Sequence, residues 1–234
     1  MKKTVLSLCF LAGMVAMTML ACSNSDGSEE NTSSNTNGNT EQPADTTNSK
    51  NLVVYFSAQT ANANVDGISG ATEIIREDGN NYGAAQYLAL LIARRTNADT
   101  LRIAVEANHY ALDYQTMAYG TARNEAQSNA RPKLTSRHVD MSQYKNVFIV
   151  STIWWYTLPM PVYSFLDDYD LSGKNVYVAT THAGSGLANA ITVIRGAEPN
   201  ANVSSTGLAE RSSQVSSSTG TDVDNWLRRL GFEN

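Results

Sequence analysis

The stretch Val147-Phe148-Ile149-Val150-Ser151-Thr152-Ile153-Trp154-Trp155-Tyr156-Thr157-Leu158-Pro159-Met160-Pro161 joins an apolar run to two adjacent tryptophans and a Pro-Met-Pro sequence. An apolar run without alternation suits a strand buried on both faces, as in a parallel sheet covered by helices. In open sheets of that kind ligands sit just beyond the carboxyl ends of the strands, where Trp154 and Trp155 fall. Successive side chains on extended backbone point to opposite sides, so the two rings cannot both enter one layer. Either one ring is presented to something flat, or both plug the sheet edge and cap the following helix.

Working outward, Leu52-Val53-Val54-Tyr55-Phe56, Leu101 to Val105 and Val176 to Ala179 have the same character, and Val203 to Leu208 is a weaker fifth candidate strand. Helical periodicity fills the intervals. Ala85, Leu88, Ala89 and Ile92 share one face, as do Val162, Phe165, Leu166 and Tyr169, and later Val223, Trp226, Leu227 and Leu230. Asp113 to Ser128 is expected to hold another helix and Leu187 to Ile194 a shorter one. Strand and helix thus alternate about five times, the pattern of an α/β domain with a doubly wound parallel sheet. A Rossmann layout wants GxGxxG directly after its first strand. Here the segment after Phe56 reads Ser57-Ala58-Gln59-Thr60-Ala61-Asn62-Ala63 and contains no glycine. Its hydroxyl and amide side chains can instead hold a phosphate together with the backbone N–H groups of the turn.

The ends of the chain concern addressing. Met1-Lys2-Lys3, an apolar run from Val5 to Leu20, and Leu20-Ala21-Cys22 before a polar tract read as an export signal. The small residue before Cys22 resembles a bacterial lipoprotein signal, which implies removal of residues 1–21 and acylation of Cys22. The expected location is the bacterial cell envelope, with the lipid anchor at Cys22 as the attachment to membrane. Residues 22–50 are Ser, Asn, Thr, Asp and Glu with scarcely an apolar side chain and read as a disordered tether. Residues 51–234 then form a single domain. With Cys9 in the signal and Cys22 lipidated, that domain has no disulfides and no thiol chemistry. The 17 basic and 22 acidic side chains leave a net charge of −5, and removal of Lys2 and Lys3 makes the excess of acid larger. An acidic surface argues against nucleic acid as a partner. His109 and His138 lie far apart without carboxylates at ligand spacing, so no metal site is expected. Ser185 lacks both the GxSxG context and a triad for hydrolysis.

Tyr55-Phe56-Ser57, Ile153-Trp154-Trp155 with Leu158-Pro159-Met160-Pro161 and Ser164-Phe165-Leu166, Asp170-Leu171-Ser172-Gly173-Lys174, and Thr181-His182-Ala183-Gly184-Ser185-Gly186-Leu187 occur in one order. Together they resemble the flavodoxin family, in its branch with a Trp-Trp second loop, over nearly all of Asn51 to Gly231. The resemblance implies a three-layer α/β/α fold with a five-stranded parallel sheet in the order 2-1-3-4-5, and FMN as cofactor. It implies a phosphate site at Ser57, Gln59 and Thr60, completed after an insertion at residues 61–78 by Gly79, Asn80 and Asn81. Asn81 stands where the family carries a hydroxyl. Thr152, Trp154, Trp155, Tyr156 and Thr157 would follow the ribityl chain and one ring face, with Tyr156 in the family's glycine position. An apolar aromatic wall there would disfavour the anionic reduced flavin and lower its potential. Thr181, His182, Gly184 and Gly186 would meet the pyrimidine edge, with His182 either a proton or charge partner of the ring or a solvent-facing loop histidine. The function implied is electron transfer, as carrier or small reductase, with a redox protein or quinone-like acceptor as partner. The departures at the first loop, Asn81 and Tyr156 favour the alternative, a flavodoxin fold that has lost FMN and serves as a binding or scaffold module.

Overall fold

The computed structural model describes residues 50–57, 74–77, 79–113 and 115–232. Gln59, Thr60, the loop at residues 66–70 and Cys22 with its flanking signal and tether lie outside the described residues. Strand β1 (Lys50–Phe56) occupies the middle of the sheet, parallel to β4 (Asp99–Ile103) on one side and β5 (Tyr144–Thr152) on the other. Beyond β5 lies β6 (Asn175–His182), again parallel. The fifth position is shared by β7 (Asn202–Val203) and β8 (Leu208–Arg211), which pair with the two ends of β6. Counting parallel positions in chain order gives 2-1-3-4-5, the flavodoxin-like topology.

Alternate residues of the strands enter opposite cores, which is why their sequences read as continuous apolar runs. Leu52, Val54, Phe56, Val147, Ile149, Val176 and Val178 pack on one face with Val162 and Phe165 of α3 (Met160–Asp168) and Ile194 of α4 (Ala190–Ala197). Val53, Tyr55, Phe148, Val150 and Ala179 pack on the other with Leu88 and Ile92 of α1 (Ala84–Thr96) and Trp226 and Leu227 of α5 (Thr219–Arg229). Three layers result. Pro161 sits in the first turn of α3, where its missing N–H costs nothing. Asn97 closes α1 in the left-handed conformation at φ 47°.

The amino-terminal edge of the sheet carries a ladder of asparagines. Asn146 donates to Asn51 at 2.9 Å, Asn175 donates to Asn146 at 2.9 Å and Asn202 donates to Asn175 at 3.4 Å. Asn51 closes the series by donating to the Thr96 carbonyl at the end of α1. Each amide matches its neighbour only in the observed register, so the ladder ties β1, β5, β6 and β7 at one level.

Four expectations shift. The fifth strand breaks between Val203 and Leu208 because Ser204 Oγ accepts from the Thr206 N–H at 3.0 Å and the Trp226 indole takes the Thr206 carbonyl at 3.0 Å. The second parallel strand ends at Ile103 rather than Val105, since the Ala104 N–H donates to Ser136 Oγ and the Ala104 carbonyl accepts from Thr135. The helix expected from Asp113 is a π-helical run, Thr116–Ala122, that continues into α2 (Arg123–Ser128). The helix expected from Leu187 starts at Ala190, after Ala188 takes a positive φ of 45°. The end of the insertion, β2 (Ile74–Glu77), also pairs with β3 (Asn80–Gly83) in an unforeseen antiparallel hairpin, which delivers the chain straight into α1.

Candidate functional site

The carboxyl ends of β1, β5, β6 and β8 bring Ser57, Thr152, His182 and Arg211 to one edge of the sheet. Ser57 follows β1 immediately and is buried, and its hydroxyl has no partner among the described residues. Thr181 and His182 close β6. Both are buried, and neither Thr181 Oγ1 nor His182 Nδ1 has a partner there either. Buried polar atoms are nearly always paired, so three orphans at one sheet edge need a reason. His182 is therefore no solvent-facing loop residue. Pairing of β8 against β6 covers it, and burial together with the Arg211 charge lowers its pKa from the usual histidine value.

The Trp-Trp loop is a tight turn. The Trp154 N–H donates to the Thr157 carbonyl and the Thr157 N–H to the Trp154 carbonyl, both at 3.0 Å, leaving Trp155 and Tyr156 at φ 52° and 62°. Positive φ at both central residues is the type I′ pattern, which normally selects Asn-Gly. For bulky residues it costs roughly 1–2 kcal/mol each. The turn parts the two tryptophans. Trp154 is half-buried against Phe56 and Tyr110, with centroids 5.4 and 5.2 Å away and rings edge-on. It serves the core, beside a carboxylate network in which Tyr110 donates to Glu125 at 2.6 Å and His109 Nε2 lies 2.5 Å from the same group. Burial and then Glu125 push the Tyr110 phenol pKa far up.

Trp155 faces outward and is 40% exposed. Its Nε1–H donates to the Ala118 carbonyl at 2.7 Å, Tyr119 meets it edge-on at 5.3 Å, and the Arg123 guanidinium lies over its ring at 5.2 Å. The π-helical run thereby sets this indole in place, a common setting for such runs at functional sites. Tyr156 is 77% exposed and stands at the rim. Between the turn, the π-helical run and the third loop lies a cleft of about 350 Å³, lined by Met117, Ala118, Thr152, Trp155, Ala183 and Ser212 among others. A second chamber of about 330 Å³ shares Ile153, Trp155, Tyr156 and Ala183 with it and adds Gly184 and Ser185.

The third loop bends at Gly184, φ 153°, and Gly186, φ 60°, conformations that glycine adopts without penalty. It is held by Thr180 Oγ1 donating to the Gly186 carbonyl at 3.2 Å, and the second loop is held by the Ile153 N–H donating to the Thr181 carbonyl at 2.9 Å. Thr152, Trp154, Trp155, Tyr156 and Ala183 thus line the cleft and Gly184 the second chamber, whereas Ser57, Thr181, His182 and Gly186 line neither. Thr157 does not line the cleft, because its hydroxyl lies 2.6 Å from that of Tyr163 on α3. Asn80 and Asn81 sit on β3 rather than in an open loop, Asn80 exposed and Asn81 half-buried with its Oδ1 unpartnered among the described residues. Met117, Ala118, Ser212 and Arg211 are additions to the site. Their only local signal is position, since long-range pairing brings them there.

A family profile of the flavodoxins matches residues 79–230, well over half of the chain. The chain belongs to the flavodoxin family. Its fold is similar to that of a protein assigned as a flavoprotein from Bacteroides uniformis, at 22% identity and TM-score 0.56, covering 77% of this chain and 98% of the other. A counterpart from Bacteroides eggerthii gives 23% identity, TM-score 0.56, and coverage of 80% and 100%. A flavoprotein of Lactobacillus acidophilus in complex with FMN gives 20% identity, TM-score 0.50, and coverage of 71% and 96%. No curated protein sequence matches the chain.

Proposed function

We propose that this domain binds FMN in the cleft at the carboxyl edge of the sheet and transfers electrons in the bacterial cell envelope, anchored through acylated Cys22. The observation that carries it is that the carboxyl edge of the sheet holds three buried polar atoms without partners among the described residues, Ser57 Oγ, Thr181 Oγ1 and His182 Nδ1, together with an exposed indole that is held in place and lines a cleft. These residues fit the cofactor. Ser57, with Gln59 and Thr60 after it, supplies short donors for a phosphate and brings no full charge. Thr152 and the Trp154–Thr157 turn flank the middle of the cleft, and Trp155 offers the flat wall. Thr181, His182 and the backbone of Gly184 and Gly186 offer hydrogen bonds to a polar ring edge. His182, kept neutral, can donate or accept one hydrogen bond at Nδ1. Bound FMN would supply one- or two-electron chemistry; the chain's part is to bind, orient and exclude water. The FMN complex of the Lactobacillus acidophilus protein, whose fold this one shares, supports the assignment.

The full chain in detergent should show the yellow flavin spectrum as isolated, or gain it on adding FMN with quenching of tryptophan fluorescence. Trp155→Ala should weaken FMN binding by about tenfold to a hundredfold, the worth of one stacking face. A chain that never binds FMN is instead a scaffold module, and a Tyr156→Gly variant that then gains binding identifies the rim tyrosine as the obstruction.

A further inference from the structure

Among the described residues, none of those lining the two chambers carries a charge. The charge at the β6 end comes from behind the wall. Arg211, the last residue of β8, is paired in register with His182, and its Nη1 donates to the Ala183 carbonyl at 3.4 Å, a long contact. A Cβ placed on Gly184 would lie 3.9 Å from that same nitrogen. Ser212, the next residue, lines the cleft itself. Among the described residues Arg211 has no carboxylate partner. Its guanidinium therefore sits just outside the third loop with its charge uncompensated by an ion pair.

We infer that Arg211 is a charge-positioning residue of this site: its guanidinium, set behind Ala183 and Gly184, stabilises negative charge that arrives at the β6 end of the cleft on reduction. Two electrons and one proton delivered to a bound ring add one net negative charge, and a cation held against the third loop favours that state. The Trp155 side carries the Arg123 guanidinium over its indole, so Arg211 adds a second cation at the β6 end, and favouring the fully reduced state biases the site toward two-electron transfer, as in a reductase. The inference rests on the FMN reading above. Burial is the main cause that keeps His182 neutral, and Arg211, brought against it by the β6/β8 pairing, adds to it.

Three forms of the full chain in detergent, wild type, Arg211→Gln and Arg211→Lys, decide the matter. FMN titration comes first: if none of the three binds FMN, the proposed function falls and this inference with it. If they bind, Arg211→Gln should weaken the affinity for reduced relative to oxidised FMN by about fivefold to tenfold, seen as a lower two-electron midpoint potential. Arg211→Lys should restore the wild-type value, and the difference should shrink as salt is raised, because the side chain is exposed. In the cofactor-free protein, NMR titration should show the His182 pKa higher in Arg211→Gln and unmoved in Arg211→Lys. FMN binding with an unchanged potential in Arg211→Gln overturns the inference alone, as does a potential that shifts equally in the lysine variant.

Discussion

At Tyr156 the backbone and the side chain are in conflict. A bulky residue at φ 62° is strained, and 77% of its surface is exposed, so few contacts offset the strain. Tyr156→Gly should stabilise the domain by about 1 kcal/mol, measured by urea denaturation at constant slope. A loss of stability would mean that the ring holds the turn through contacts worth more than the strain. His182 makes a different demand. Its folded pKa lies below the ordinary value of about 6.5 that it recovers on unfolding. A depressed pKa means that the unfolded chain binds the proton first. The stability contribution is thus complete above about pH 6.5 and is lost as pH falls through that value toward the folded one. His182→Gln should flatten the acid limb of the stability profile in that window, and an unchanged limb would remove His182 as its source.

Among the elements, β1, β5 and β6 were legible as strands because burial on both faces writes itself into local sequence as Val, Ile, Leu and Phe without interruption. Helices α1, α3 and α5 were legible through their apolar faces. What escaped reading depends on distant partners: Trp226 reaches back to Thr206 to split the fifth strand, and β8 reaches across to cover His182. The β2–β3 hairpin did leave a local trace, the Asp78-Gly79 dipeptide between paired Glu77 and Asn80, a typical two-residue turn signal. The π-helical run left none. Nor did the asparagine ladder, since four asparagines scattered over 152 residues become a feature only once the strands align. Asn146 is buried and bonded on both sides, so Asn146→Ala strands one acceptor on Asn51 and one donor on Asn175. The expected cost is about 2 kcal/mol in urea denaturation. A cost near zero would show that water replaces the amide.

For the molecule as a whole, the candidate site draws on four parallel strands, β1, β5, β6 and β8, and no segment of 20 residues contains it. The loops of the candidate site were recognisable in the sequence by residue type, whereas the cation behind the third loop and the division of labour between Trp154 and Trp155 required the assembled sheet. No helix among the described residues is long and apolar enough to cross a membrane. In our proposal membrane attachment is at Cys22, and Cys22→Ser should move the protein from the membrane fraction to the soluble fraction on centrifugation of lysed cells. Retention of the variant in the membrane fraction would discard the lipid anchor. One consequence follows from the course of β1. The strand starts at Lys50, beside the asparagine ladder, and carries Phe56 and Ser57 to the carboxyl edge of the sheet roughly 20 Å away. Lys50 and Ser57 thus mark opposite ends of one central strand, so a reporter joined directly at Lys50 and a ligand at the carboxyl edge would sense the two ends of the sheet separately.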